Sequence, residues 1–444
     1  MDQNKKKRKT GRVRYQMLLL VFVCVVVNYM DRSNISIAAP AILKDFHLTS
    51  VQLGLIFSAF GWTYTFFQIP GGFLLDRIGS RILYTFSLSL WSLATLLQGV
   101  ATGFAGLFGL RLSIGVFEAP AFPINNRIAT NWFPEKERAS AIGIYTSGEF
   151  VGLAFLTPLL ATLQHFWGWK GLFIITGIAG LIWSVIWYKL YRDPDKHPRL
   201  TKNEYDYIGR GGGLVKGDKA SGKRAQWKDL KEVFRYKKLW GIYIGQFAVN
   251  STLWFFLTWF PTYLIKYRHL DFLQSGFLAS IPFLAAFAGI LLSGFLSDLL
   301  LRKGSSVSKA RKIPVILGLF LSTLIIGANY VNSTTLIVFF LAIAFFGNGV
   351  ASITWVFVST LAPPHLIGST GGVFNFIGNL ASVIVPVVIG FLVQGGNFEP
   401  ALLFIGAMTL IGIFAYIFLV GKVERIQVKN AIPEVTENPV SNNN

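Results

Sequence analysis

The sequence predicts an all-α membrane protein with twelve spans in two six-helix halves, on three observations. Of 444 residues, 53% are hydrophobic and only 14% charged, against about 25% charged in an average soluble domain. Apolar runs long enough to cross a bilayer recur along the chain, with short loops between them. Finally, Gly72-Phe-Leu-Leu-Asp76-Arg77-Ile-Gly79-Ser-Arg81 is echoed 222 residues later by Gly294-Phe-Leu-Ser-Asp298, the mark of a duplicated bundle. Lipid-facing backbone must satisfy its hydrogen bonds within its own segment. No ten-residue alternating pattern suggests a barrel, so the spans are helices.

In order, a basic stretch (1–14) precedes the first span, 15–40. Its charged start followed by Leu18–Val27 is similar to a secretory signal, but apolar character resumes at Ile35–Leu43 and eleven spans follow, which favours a retained helix. The amino-terminal bundle (15–190) continues with spans at 51–75, ending in the first motif copy, then 82–101, 104–126, 139–164 and 170–190. A charged segment (191–238) containing Gly211-Gly-Gly213 is expected to be a solvated cytoplasmic tether with one surface helix at most. The carboxy-terminal bundle (239–421) holds spans at 239–265, 272–301 (ending in the second motif copy), 313–331, 334–361, 367–393 and 398–421, before a polar tail (422–444).

The formal charge of +20 would suggest nucleic acid on a soluble protein, but here the basic residues sit between apolar runs. With both termini on one side, 35 Lys and Arg fall on that side against four on the other (Lys44, Lys170, Lys266 and Arg268). The positive-inside rule therefore places the termini in the cytoplasm. A single cysteine, Cys24, excludes internal disulfides and CxxC motifs, and the five histidines (His47, His165, His197, His269, His365) fall at loops or helix ends. Neither a metal cluster, a nucleophile elbow nor a phosphate loop is legible, so no cofactor, metal or enzymatic activity is expected.

Five ionisable residues stand inside spans: Asp31, Arg32, Arg111, Glu118 and Glu149. Each would cost about 2.5–3.5 kcal/mol facing lipid at a helix centre, so they must face a cavity or one another. All five belong to the amino-terminal half. The matching spans of the other half offer neutral polar groups instead: Gln246, Asn250, Asn348, Ser352, Thr354, Asn375 and Asn379. Arg32 is the candidate anion receptor, because its permanently charged planar fork matches a carboxylate. A lasting pair with Asp31 is geometrically poor, since adjacent helix residues diverge by about 100°. Glu118 follows Arg111 by two turns, about 10 Å of rise. The pairs Gln246/Asn250 and Asn375/Asn379 stack amides at i,i+4, suited either to hydroxyl recognition or to interhelical bonding.

Several motifs carry a family resemblance: Asn28-Tyr29-Met-Asp31-Arg32, Gln68-Ile-Pro-Gly-Gly72, Arg111-Leu-Ser-Ile-Gly-Val-Phe-Glu118-Ala-Pro120, Trp132-Phe-Pro-Glu-Lys-Glu-Arg138, Thr146-Ser-Gly-Glu149, Phe345-Phe-Gly-Asn348 through Trp355, and Gly371-Gly-Val-Phe-Asn375. With the Gly72–Arg81 loop, in which Ser80 replaces the more usual basic residue, they resemble the anion:cation symporter branch of the major facilitator superfamily. The resemblance implies the major facilitator fold and proton-coupled import of a sugar-acid anion, D-galactonate foremost, across a bacterial cytoplasmic membrane. Glucarate, gluconate or a hexuronate are the alternatives.

It further implies that Asp31 and Glu118 carry protons and that Tyr29, Arg32, Tyr64, Gln246, Ser352, Thr354, Trp355 and Asn375 contact substrate. Glu149 joins that set as a departure, standing where glutamine is the family's residue. Gly72, Asp76, Arg77, Gly79, Arg81 and Asp298 would form a gate that latches the halves in the outward-facing state. An organic-phosphate antiporter would need cations from both halves, a drug exporter a Gly-Pro signature in span five, and a sensor a signalling domain. The sequence supplies none of the three.

Overall fold

A computed structural model describes residues 11–215, 231–363 and 366–426. Residues 1–10 of the basic start, 216–230 of the central segment, 427–444 of the tail, and His365 lie outside the described residues. Every regular element among those described is helical.

Among the described residues, twelve membrane helices follow in order. In the first half they are α1 (Val13–Asp45), α2 (Ser50–Ile78), α3 (Ser80–Gln98), α4 (Phe104–Trp132), and α5 and α6, which share the continuous stretch Glu135–Leu190. In the second half they are α7 (Lys237–Thr258, continued by the short segments Phe260–Thr262 and Tyr263–Tyr267), α8 (Phe272–Arg302), α9 (Val307–Tyr330), α10 (Thr334–Leu361), α11 (Ile367–Leu392) and α12 (Glu399–Leu419). Gly168, at φ 67°, is the single non-helical residue separating α5 from α6. Gly79, at φ 84°, makes the turn between α2 and α3, a conformation that penalises any Cβ. Helix starts follow local chemistry: Thr49 and Gln52 form a capping box on α2, and Asp271 accepts from the Leu273 and Gln274 amides at α8. α1 runs further than expected, taking Lys44 into its last turn.

Within each half the helices pack as a bundle, α1 against α5 and α6 and α2 against α4, with α8 against α10 and α7 against α12 in the other. The halves meet along two seams, α2 with α11 and α5 with α8. A shift of six helices exchanges one seam for the other, as internal duplication requires. Both seams close at the end remote from the termini. There a Cβ on Gly54 would strike the Pro386 carbonyl, one on Gly61 would strike Ser382, and one on Gly276 would strike Ala161. Trp259 Nε1 also donates to the Pro386 carbonyl at 3.1 Å. Toward the terminal end the same helices part, and Gly72, Gly143, Gly294, Gly368 and Gly372 have open space where a Cβ would lie. The halves thus pack together at the end remote from the termini and stand apart at the terminal end.

The stretch 191–215 of the central segment is not the solvated tether expected. Its helix Lys202–Arg210 docks on the first half, burying Glu204 and Ile208 completely. Glu204 accepts the Val13 and Arg14 amides at 3.2 Å each and the Arg14 guanidinium at 3.1 Å. Arg14 donates in turn to Glu137 at 3.1 Å, and Tyr207 also donates to Glu137. A carboxylate at the start of α1 satisfies amide groups the helix cannot bond itself and complements its dipole. Composition hides this because Glu204 is one acid in a highly charged stretch. Glu204→Ala should leave the Val13 and Arg14 amides without their acceptor and Arg14 with Glu137 as its remaining carboxylate, a loss of about 1–3 kcal/mol for buried groups left unsatisfied. The purified protein should then melt markedly lower in detergent, whereas alanine at exposed Asn203 should not shift it.

Candidate functional site

The charged residues of the spans meet at mid-height in the first half. α1 presents Tyr29, Asp31 and Arg32 from its central turns, and α4 brings Glu118 to them just before the chain breaks at Ala119-Pro120. Arg32 donates through Nε to Glu118 Oε1 at 2.6 Å, and its Nη2 lies 2.5 Å from the same oxygen. Both residues are buried. Three rings surround the guanidinium, Tyr29 at 4.7 Å, Tyr64 at 4.8 Å and Phe60 at 4.9 Å from its carbon. Their faces favour the cation without binding it covalently or competing for its N–H groups.

Asp31 points away from Arg32, as the divergence of neighbouring helix residues requires. It accepts from Trp91 Nε1 at 3.1 Å and Asn34 Nδ2 at 3.3 Å, and Asn34 is itself held by Thr176 Oγ1 at 2.8 Å. Arg111 is buried over the Phe60 ring at 5.2 Å, and its Nε and Nη1 have no hydrogen-bond partner among the described residues. Glu118 Oε2 is likewise without one. Glu149, from α5, interacts with the Tyr29 hydroxyl and with the charge of Arg32. Two guanidinium groups and three carboxyl groups therefore cluster in one buried compartment. They sum to zero only when one carboxyl carries a proton.

The facing half supplies neutral polar groups. Thr354 donates to Gln246 Oε1 at 2.6 Å, and Gln246 to Asn250 at 3.3 Å. Asn379 bonds Asn375 at 3.2 Å, and Asn375 crosses the cavity to donate to Gln68 Oε1 on α2 at 2.7 Å. This set sits where helices lose regularity. α10 tightens between Ser352 and Thr354, and α11 is interrupted at Leu380. Irregular backbone at membrane depth is tolerated where it borders a cavity. Ser352 is partly buried, while Trp355 is half exposed with its ring 4.9 Å from that of Phe374.

The gate residues lie apart, at the open end. Asp76 pairs with Arg127 at 2.5 Å, Arg81 donates to the Tyr188 carbonyl at 2.8 and 3.1 Å, and Asp298 lies 3.8 Å from Arg311. Each bond stays within its own half. Arg77 is exposed, and Gly72 and Gly79 face open space.

Sequence reasoning brought Asp31, Arg32, Glu118 and Glu149 together but not the pairing of Arg32 with Glu118, which lie 86 residues apart. It did not assign a site role to Phe60, Gln68 or Trp91. Gln68 carried a signal as an amide within an apolar run; Phe60 and Trp91 carried none among so many aromatics.

The profile of the Major Facilitator Superfamily matches residues 21–386. The D-galactonate transporter of Escherichia coli O6:H1 is 55% identical over 430 residues, covering 96% of this chain and 100% of that protein. The probable galactarate/D-glucarate transporter GarP of Escherichia coli K12 is 42% identical over 443 residues, covering 97% and 99%. Among solved structures, a bacterial homologue of the human lysosomal transporter Spinster, described as inward-facing and unoccupied, superposes with a TM-score of 0.71 at 20% identity, covering 93% of this chain and 96% of its own.

If the pair at the centre is the structural anchor of the site, removing one member costs more than removing both. Arg32→Met should destabilise the protein by about 3–5 kcal/mol. Arg32→Met with Glu118→Leu should recover most of that loss in a double-mutant cycle read by thermal unfolding in detergent.

Proposed function

The chain belongs to the major facilitator superfamily, and on that premise we propose that it imports a sugar-acid monoanion, D-galactonate foremost, together with protons, by alternating access across a bacterial cytoplasmic membrane. The observation that carries the reading is that Glu118 occupies the guanidinium fork of Arg32 at the base of a cavity between the halves. A substrate carboxylate needs the same fork. Glu118 and the anion therefore compete, and a proton on Glu118 removes the competitor. Proton and anion then bind cooperatively, and by linkage each raises the affinity for the other to the same degree.

Charge counting supports the same conclusion. A compartment already neutral with one proton takes up a further negative charge most cheaply with a further proton, and Asp31, held by Trp91 and Asn34, supplies a second carboxyl for it. One proton per monoanion uses only the pH gradient, about 1.4 kcal/mol per unit. A second adds roughly 2.3 kcal/mol per 100 mV of membrane potential.

Gln246, Thr354, Asn375 and Ser352 supply donors and acceptors to the hydroxyls of a polyol chain, while Tyr29, Tyr64 and Trp355 give it faces to pack against. Among the described residues the buried basic side chains are Arg14, Arg32 and Arg111, all in the first half. The facing half thus offers no cation to a phosphoryl dianion, nor to the second carboxylate of a galactarate or glucarate. That favours a monoanion over the substrates named for the 42% relative. Glu149, beside Tyr29, is the residue on this side expected to tune the choice among sugar acids.

The positive-inside balance supports a cytoplasmic location for the termini, and so for the end at which the halves stand apart. In this inward-open form Asp76 and Asp298 are held by Arg127 and Arg311 of their own halves. When the halves close at that end, the gate carboxylates exchange these partners for groups of the opposite half.

Proteoliposomes should accumulate labelled D-galactonate under an inward proton gradient, and an uncoupler should abolish accumulation. Glu118→Gln should retain counterflow exchange of galactonate while losing gradient-driven accumulation, with Asp31→Asn reducing accumulation as well. Unchanged accumulation with both carboxyls neutralised would remove the coupling reading, and exchange confined to phosphate esters would remove the substrate reading.

A further inference from the structure

A groove of about 470 Å³ lies on the outer surface of the first half, at the level where α1 begins and α6 ends. Its floor is apolar, formed by Leu19 and Leu20 of α1 and Leu190 of α6. Leu19 and Leu190 are 60% and 54% exposed. The rim is cationic: Lys189 from the last turn of α6, and Arg192 and Arg199 from the chain that follows.

None of these three forms an ion pair among the described residues, and no acidic side chain lines the groove. The nearby acids do not quench them. Asp193 accepts from the Tyr191 hydroxyl at 3.0 Å, and Asp195 is exposed to solvent outside the lining. Arg192 is fixed in place by donating through Nη1 to the Tyr188 and Tyr191 carbonyls at 2.8 and 2.7 Å. His197, in the same lining, is held below the ordinary imidazole value first by burial and then by Arg199 and Arg192, against an opposing pull from Glu204.

We propose that this groove is a binding site for an anionic phospholipid, its phosphate held by Lys189, Arg192 and Arg199 and its acyl chains lying over Leu19, Leu20 and Leu190. Two features select a lipid over a free anion. The cations stand at the membrane boundary rather than in the substrate cavity, and the apolar floor continues toward the membrane centre along the exposed Val185 and Ile182 of α6. Basic pockets between helices at the membrane boundary hold lipid headgroups through this combination of charge and apolar surface. The site is independent of the transport reading, since it shares no residue with the cavity between the halves.

Native mass spectrometry of the detergent-purified full chain, titrated with phosphatidylglycerol or phosphatidylcholine, tests the assignment. Phosphatidylglycerol should bind in preference, and the Lys189→Gln, Arg192→Gln, Arg199→Gln triple variant should weaken that binding by about tenfold or more. Should the triple variant fail to fold, Lys189→Gln with Arg199→Gln leaves the anchored Arg192 in place and should give a smaller loss in the same direction. Phosphatidylglycerol should also raise the melting temperature of the unmodified protein, with phosphatidylcholine and millimolar inorganic phosphate leaving it unchanged. Equal binding of the two lipids, undiminished phosphatidylglycerol binding by the variants, or stabilisation by inorganic phosphate alone would each overturn the proposal.

Discussion

The structure depends on one interaction, the contact ion pair by which Glu118 neutralises Arg32 within the membrane. Arg32 cannot shed its proton, so α1 can sit at mid-membrane only because α4 delivers Glu118 to it. That bond fixes how α1 and α4 are placed, and the rings of Tyr29, Phe60 and Tyr64 then close around the guanidinium. Asp31 is satisfied differently, by uncharged donors on α1 and α3. Neutral bonds hold a carboxyl in either protonation state at less cost than a second arginine would. The pair and the solitary acid thus form a compartment whose charge can change without dismantling the fold.

Around this compartment the halves divide the physical tasks. Among the described residues, the first holds every buried charged side chain of the spans and is braced at the terminal end by Glu204 of the central segment, which bonds α1 and, through Arg14, reaches Glu137 at the start of α5. The second carries no buried Lys or Arg among the described residues, but its cavity-facing helices are interrupted near Ser352 and Leu380. A braced half facing a half with interrupted helices suits relative rocking. Where they touch, small residues such as Gly54, Gly61 and Gly276 let backbones approach closely. In lipid, close packing replaces the hydrophobic driving force that water would supply.

Much of this was legible in residue order. Apolar run lengths gave twelve helices because the bilayer fixes span length, and the recurrence of Gly and Asp at 72/76 and 294/298 gave the duplication. The presence of Asp31, Arg32, Glu118 and Glu149 within spans foretold a buried charged cluster, because charge in hydrocarbon requires a partner or a cavity. The i,i+4 amide pairs were legible too, being set by helix geometry alone, and Gln246/Asn250 and Asn375/Asn379 do bond to one another.

Tertiary structure decided who pairs with whom. Arg32 could have met Asp31, Glu118 or Glu149, and only the approach of α4 to α1 selects Glu118 and leaves Asp31 to Trp91. Likewise, Glu204 reads as one charge in a soluble tether until the docking of its helix buries it. Which end is open, and that Asn375 reaches Gln68 across the cavity, are also products of how two rigid bundles lean on each other. The physical reason is common to all of these. Span length and periodicity are short-range properties written in consecutive residues, whereas a choice among several chemically adequate partners depends on helix positions that no local stretch of chain encodes.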